Sequence, residues 1–174
     1  MASGHFLRLV AGLAAMAALG LSGGIAQAQL SQKGGPVAIG GDDLELLEGE
    51  RVQLWTGRVE VLQDDTRLRA DQVRMIHAPK PGGGAGFGEV DRIEATGNLY
   101  FVQGNQVIRG DKAVYTRADD TMIVTGDVIV KQGENVMTGN RLVYNVSAGR
   151  TTMDAAQSKG RVRAVIYPDN KPAQ

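Results

Sequence analysis

Apolar and polar residues alternate at period two in three long stretches of the chain. Met122, Val124, Gly126, Val128 and Val130 are separated by Ile123, Thr125, Asp127, Ile129 and Lys131. Ile93, Ala95, Gly97, Leu99 and Phe101 repeat this phase, and so do Trp55, Gly57, Val59 and Val61. Such alternation puts one set of side chains on a single face of a strand, turned inward. The segments that follow carry a second inward set. Leu68, Ile108 and Met137 are each followed two residues on by a small residue, Ala70, Gly110 and Gly139. Beyond Asp71, Asp111 and Asn140 the apolar positions shift by one, to Val73 and Met75, Ala113 and Tyr115, and Leu142 and Tyr144. Keeping both sets inside requires a one-residue bulge or corner at the small-Asp pair. Each unit is therefore expected to bend at a fixed place. The mid-strand glycine of each Thr-Gly pair points to a bulge, a bend or a close approach of another chain or ligand.

The stretches are copies of one another. Residues 55–75, 95–115 and 124–144 align without a gap, and 39–63 superimposes on 108–132 as an earlier partial copy. Asp42, Asp71, Asp111 and Asn140 are spaced by 29, 40 and 29 residues, and Gln63, Gln103 and Gln132 follow the same 40- and 29-residue steps. A period this short means stacked supersecondary units that share one continuous core. No long 3.6-residue stripe marks a helix after residue 28, and Gly, Val and Thr are frequent. The expected fold is all-β: a solenoid-like stack of repeated antiparallel strands in two facing sheets, an antiparallel β-jelly roll with apolar inner faces.

The eleven extra residues of the 40-residue step fall at Pro79-Lys80-Pro81 and the glycine-rich run from Gly82 to Gly88. That run reads as a flexible surface loop. A phosphate-cradling loop would need a helix to follow, and Glu89 and Asp91 follow instead. At the amino terminus, Leu9 to Leu21 is a short apolar stretch, and Ala26-Gln27-Ala28 gives a small-x-small pattern. Residues 1–28 read as a secretory signal peptide cleaved after Ala28, the apolar run being short for a membrane span. Residues 29–35 read as a flexible segment, 36–168 as one domain and 169–174 as a loose tail.

Composition narrows the function. The chain has 19 basic and 19 acidic residues, so no net basic field favours nucleic acid. It has no cysteine. An exported chain without disulfides is held by its own burial, and thiol chemistry and cysteine metal sites are excluded. His77 is the single histidine after residue 28 and has no partner for a zinc site, which points to a surface role. Asp42, Asp71 and Asp111 resemble a carboxylate row for calcium or glycosidic chemistry. Their recurrence, with Asn140 replacing one, argues for hydrogen bonding in turns instead. Asp64-Asp65 and Asp119-Asp120 read as solvated loop tips. Neither a Ser/His/Asp set nor an isolated acid pair stands out, so no enzyme, cofactor or metal site is expected. A parallel β-helix lyase or glycosidase would need more coils and acids confined to one of them. A structural or carbohydrate-binding repeat module stays open.

The repeated T-G-x-[VL]-x-[VF] and [GA]-[DN]-x-[VAL]-x-[MY] blocks resemble the OstA-like, or LptA, family of periplasmic lipopolysaccharide-transport proteins. The opening run from Ile39 to Glu45 and the late run from Gly160 to Pro168 fit as well, so the resemblance covers about residues 36–168. It implies a twisted β-jelly roll open at both ends that carries lipopolysaccharide across the periplasm, with copies joined head to tail. One end would meet the inner-membrane protein LptC and the other the amino-terminal domain of the outer-membrane protein LptD. An LptC-like component that keeps its membrane anchor is the alternative within the same system.

Lipid acyl chains need a continuous apolar trough, since each buried methylene contributes about 0.8 kcal/mol. The candidate lining is Trp55, Val59, Val61, Leu68, Leu99, Phe101, Ile108, Tyr115, Val128, Val130, Met137 and Tyr144. Inward apolar residues of any β-sandwich also fill its core, and both roles stay open here. Edge strands template pairing with another chain. The candidate interface residues are Val37, Ile39, Leu44 and Leu46 at one end, and Val162, Ala164, Val165 and Ile166 at the other.

Overall fold

The computed structural model describes residues 35–84, 86–155 and 161–167. The expected signal peptide, nearly all of segment 29–35 and the tail 169–174 lie outside them. Six long strands form the body: β3 (Val52–Gln63), β4 (Thr66–His77), β5 (Val90–Gln103), β6 (Gln106–Thr116), β7 (Thr121–Gln132) and β8 (Asn135–Asn145). Two short strands precede them, β1 (Val37–Gly40) and β2 (Asp43–Leu47). Two more follow, β9 (Arg150–Asp154) and β10 (Arg163–Val165). All ten belong to one antiparallel sheet that runs in chain order from β1 and β2 to β9 and β10. The two facing layers expected from the alternation are thus the two halves of the same strands, since each strand is long enough to serve both.

The bend lies where the small-Asp pairs predicted it, but the extra residue sits on the facing strand. Between regular pairings, Gly57-Arg58, Gly97-Asn98 and Gly126-Asp127 each oppose a single residue, Asp71, Asp111 and Asn140 respectively. The strand with the aspartate turns by exposing two consecutive residues, Asp71 and Gln72 or Asp111 and Lys112. Its neighbour takes the longer path and needs one residue more.

These aspartates do not sit in turns, as their recurrence suggested. Asp71 and Asp111 lie at a mid-strand corner and Asp42 at the break between β1 and β2, and each leans onto the glycine of the next strand. A Cβ on Gly57 would come within 2.5 Å of Asp42 Oδ2, and one on Gly97 within 2.3 Å of Asp71 Oδ2. Gly126 stands in the same relation to Asp111. The three glycines also have positive φ, +74°, +80° and +105°, a region that other residues enter at a cost. The Asn98 side chain donates to Asp71 Oδ2 at 2.8 Å, and Arg58 forks onto Asp42.

The edge strands are the same unit, divided. β1 pairs with residues 60–63 of β3 and β2 with 52–56, so together they make one bent strand broken at Gly41-Asp42. At the other end β9 pairs with 141–145 of β8 and β10 with 136–138. The partial copy is also visible in the connections. The 3-10 turn Glu48–Glu50 precedes β3 as the 3-10 turn Arg117–Asp119 precedes β7, each closed by a left-handed residue, Arg51 or Asp120. Between β4 and β5 that turn is replaced by the exposed glycine-rich loop.

Two expectations are overturned here. His77 is buried, with Nδ1 2.9 Å from the Gly88 carbonyl and its ring 4.9 Å from that of Phe87. The loop after β4 folds back over it, which periodicity cannot show. Asp120 is not a solvated tip: it accepts from the Tyr115 hydroxyl at 2.9 Å and from the Ser147 amide at 2.8 Å. It braces the end of β6 to the chain after β8.

The corner yields a prediction. Gly97→Ala should destabilise the fold by about 2 kcal/mol or more, since it forces a side chain into positive φ and against Asp71. Asp71→Ala in the same chain should recover part of that loss. Chemical denaturation of the two single variants and the double variant measures the coupling. Strictly additive losses would show that the two residues do not meet.

Candidate functional site

The inner face is built in rows that register fixes. In one half, Val61, Leu68, Phe101, Ile108, Val130 and Met137 stand opposite one another across β3 to β8. Val59, Leu99 and Val128 lie two residues closer to the corner. In the other half one row runs Trp55, Val73, Ala95, Ala113, Val124, Leu142. The next runs Met75, Ile93, Tyr115, Met122, Tyr144. All twelve candidate lining residues lie on this face. The second half also contributes residues outside the candidate lining, Val73, Ile93, Met122, Val124 and Leu142 among them, because they belong to the same continuous surface.

The two halves press against each other. Val59, Ile108, Val124, Val130 and Leu142 are 0 % exposed, and Phe101 1 %. Trp55 and Met137 are half-buried and pack on the margin of the cluster. The lining residues therefore fill the core of this closed form. Anything held between the halves must replace contacts they make with each other.

One hydrogen bond ties the mouth. The Tyr144 hydroxyl donates to Gln103 Oε1 at 2.6 Å, joining one half to the rim of the other. The Phe101 and Tyr144 rings lie 6.5 Å apart beneath it, tilted by 58°. Burial pushes the Tyr144 phenol up, and the charge of Asp120 adds to the shift. The other rim is braced by Arg117, whose guanidinium pairs with Glu89 and, at 3.0 Å, with Asp91. Hydrogen bonding to Asp91 holds that guanidinium in its charged form.

Both expected edge segments lie at the ends of the sheet. Val37 and Ile39 of β1 turn inward, opposite Gln63 and Val61, while Leu44 and Leu46 of β2 are exposed. At the other end Ala164 stands opposite Met137, and Val162, Val165, Ile166 and Tyr167 are exposed, Ile166 by 70 %. No strand among the described residues covers either edge. Among the described residues no three His, Cys, Asp or Glu side chains gather as a metal site, and no helix is long and apolar enough to cross a membrane.

This architecture, an apolar-lined antiparallel sheet bent double and left open at its ends, is that of a family of transport proteins. Residues 38–150 match the family described as LptA/(LptD N-terminal domain) LPS transport protein. The chain belongs to this family. An uncharacterized protein of Rhizobium meliloti (strain 1021) is 31 % identical over 125 residues, which span 66 % of this chain and 65 % of that protein. Among solved structures, the fold matches LptH of Pseudomonas aeruginosa, the LptA-homologous periplasmic component of its lipopolysaccharide transport device. The TM-score is 0.66 at 20 % identity, over 79 % of this chain and 99 % of that one.

Burial of the Tyr144 phenol, with the charge of Asp120 beside it, sets a pH dependence. A raised folded value means that the native state keeps the Tyr144 proton where the unfolded chain loses it. The contribution is complete below about pH 10, the ordinary tyrosine value, and falls away as pH rises beyond it. Tyr144→Phe should cost about 1 kcal/mol at pH 7. It should also flatten the alkaline loss of stability. Denaturant melts at pH 7 and in the alkaline range measure both; a variant as alkali-sensitive as the wild type would place that sensitivity elsewhere.

Proposed function

We propose that this chain binds lipopolysaccharide by its acyl chains between the two halves of the bent sheet and passes it across the periplasm. The observation that carries the reading is the unbroken apolar inner face, at least two rows deep in each half, in a sheet whose ends are open. Acyl chains that part the halves regain what the halves lose, at about 0.8 kcal/mol per buried methylene. The half-buried margin at Trp55 and Met137 is where entry costs least. The task is one of binding and transfer, not of bond making.

Assembly follows from the two edges. Each offers unpaired backbone groups beside exposed apolar side chains, Leu44 and Leu46 at one end and Val165 and Ile166 at the other. Pairing of unlike edges is heterologous and extends without closing, so copies join head to tail into a bridge. The terminal partners of such a bridge are the inner-membrane protein LptC and the amino-terminal domain of the outer-membrane protein LptD. The expected location is the periplasm, after cleavage behind Ala28.

The lipid reading is tested by photo-crosslinking. Probes at Phe101 and Val128, on the inner phase, should label bound lipopolysaccharide, whereas probes at Thr96 and Asp127, on the outer phase, should not. Equal labelling from both phases would remove the trough assignment. The assembly reading is tested separately. Val165→Pro takes an amide from the β10 edge and should give monomers that still bind lipid. Light scattering that finds the wild type monomeric at every concentration, or the proline variant still growing into filaments, refutes the edge model.

A further inference from the structure

A row of neutral hydrogen-bonding side chains crosses six strands at one rim of the inner face. Register sets Gln63 opposite Thr66, Thr66 opposite Gln103, Gln103 opposite Gln106, Gln106 opposite Gln132, and Gln132 opposite Asn135. The row lies two residues out from the apolar row of Val61 and Met137 and on the same inward phase. At a strand spacing of about 4.8 Å it runs for roughly 24 Å along the axis of the stack. Gln63 and Thr66 are buried, Gln103, Gln106 and Asn135 half-buried, and Gln132 exposed.

The chain's own contacts show what this row recognises. The Gln63 side chain donates to the Gly35 carbonyl at 2.8 Å, Gln103 accepts from the Tyr144 hydroxyl, and Asn135 accepts from the Tyr167 amide at 2.9 Å. These partners are a carbonyl, a hydroxyl and an amide, all neutral. The Thr66 hydroxyl is buried without any partner. A buried, unanswered hydroxyl is unfavourable unless something supplies an acceptor. The row holds no cation, and the turns just outside it carry Asp64, Asp65 and Glu134. The row itself therefore offers a phosphate no cation to pair with.

We propose that this rim holds the neutral polar linkages of the bound lipid, its ester and amide carbonyls, with Thr66 as a buried donor. The acyl chains then fill the apolar rows beneath, and the phosphates lie away from this rim. The assignment rests on the lipid-trough reading above and adds the part of the lipid that sets its depth and register. Thr66 is a specificity residue in this scheme, because it distinguishes an acyl linkage from plain hydrocarbon.

The test uses the purified exported protein and lipopolysaccharide carrying carbon-13 at its acyl carbonyls. Thr66→Val keeps the shape and removes the donor, and it should weaken binding about tenfold, the worth of one well-made hydrogen bond. It should also move the infrared carbonyl stretch of the bound lipid to higher frequency. Thr66→Ser should restore both. The valine variant should melt no lower than the wild type, because it discards an unpartnered hydroxyl, so lost binding is not lost folding. Unchanged affinity, or weaker binding without a shift of the stretch, overturns the rim assignment and leaves the trough intact. A wild type that takes up no lipopolysaccharide removes the trough reading itself.

Discussion

The contact between an aspartate on one strand and the bare Cα of a glycine on the next holds this architecture together. It recurs as Asp42 on Gly57, Asp71 on Gly97 and Asp111 on Gly126. Without the corner, the apolar sets of β4 and β6 would point to opposite faces, because their phase shifts by one residue at Asp71 and Asp111, and no second layer would cover them. The corner folds each strand so that its halves face each other, and the apolar set of one half becomes the cover for the other. Glycine serves twice there. It accepts a left-handed backbone, and it leaves room for a carboxylate that no Cβ would allow. Because the corners stack, one bend repeated from strand to strand becomes the crease of the whole sheet.

The crease has a functional consequence. A sandwich made of two independent sheets is closed by its connections. A single sheet folded along a line keeps one long mouth, opposite the crease. The mouth is held by few polar contacts, chiefly Tyr144 with Gln103, while the interior is apolar without interruption. Such an interior is stable when closed on itself, and a long mouth of this kind is what the proposed lipid trough requires. The ends of the stack are open for a separate reason: repeats that add strand after strand have no strand with which to finish.

The division of the edge strands belongs to the same logic. β1 and β2 are one bent strand interrupted at the crease, and β9 with β10 are another. Short, broken edges pair less indiscriminately than long flat ones. They still present backbone groups on both halves of the fold, so a matching edge can continue both layers at once. Leu44, Leu46, Val165 and Ile166 mark these edges as apolar where the rest of the outer surface is largely polar.

The strands, their inward faces, the place of the bend and the two edges are legible in the residues, because each is written in local alternation or in the period of the copies. Period-two patterns report a side chain's face directly, and residues such as Phe101, Ile108 and Val130 lie where that rule puts them. The tertiary structure alone decided what meets across strands. Asp71 is far from Gly97 along the chain, so its role at the crease, and not in a turn, became visible only in register. His77 looked like a surface residue until the loop that follows it folded back. The glutamines at 63, 103 and 132 were legible as a repeat but not as a rim, since a rim exists only once six strands are aligned. That the two facing layers are halves of one sheet was equally beyond the pattern. Alternation specifies which way a side chain points, whereas pairing over long sequence separations specifies what it points at.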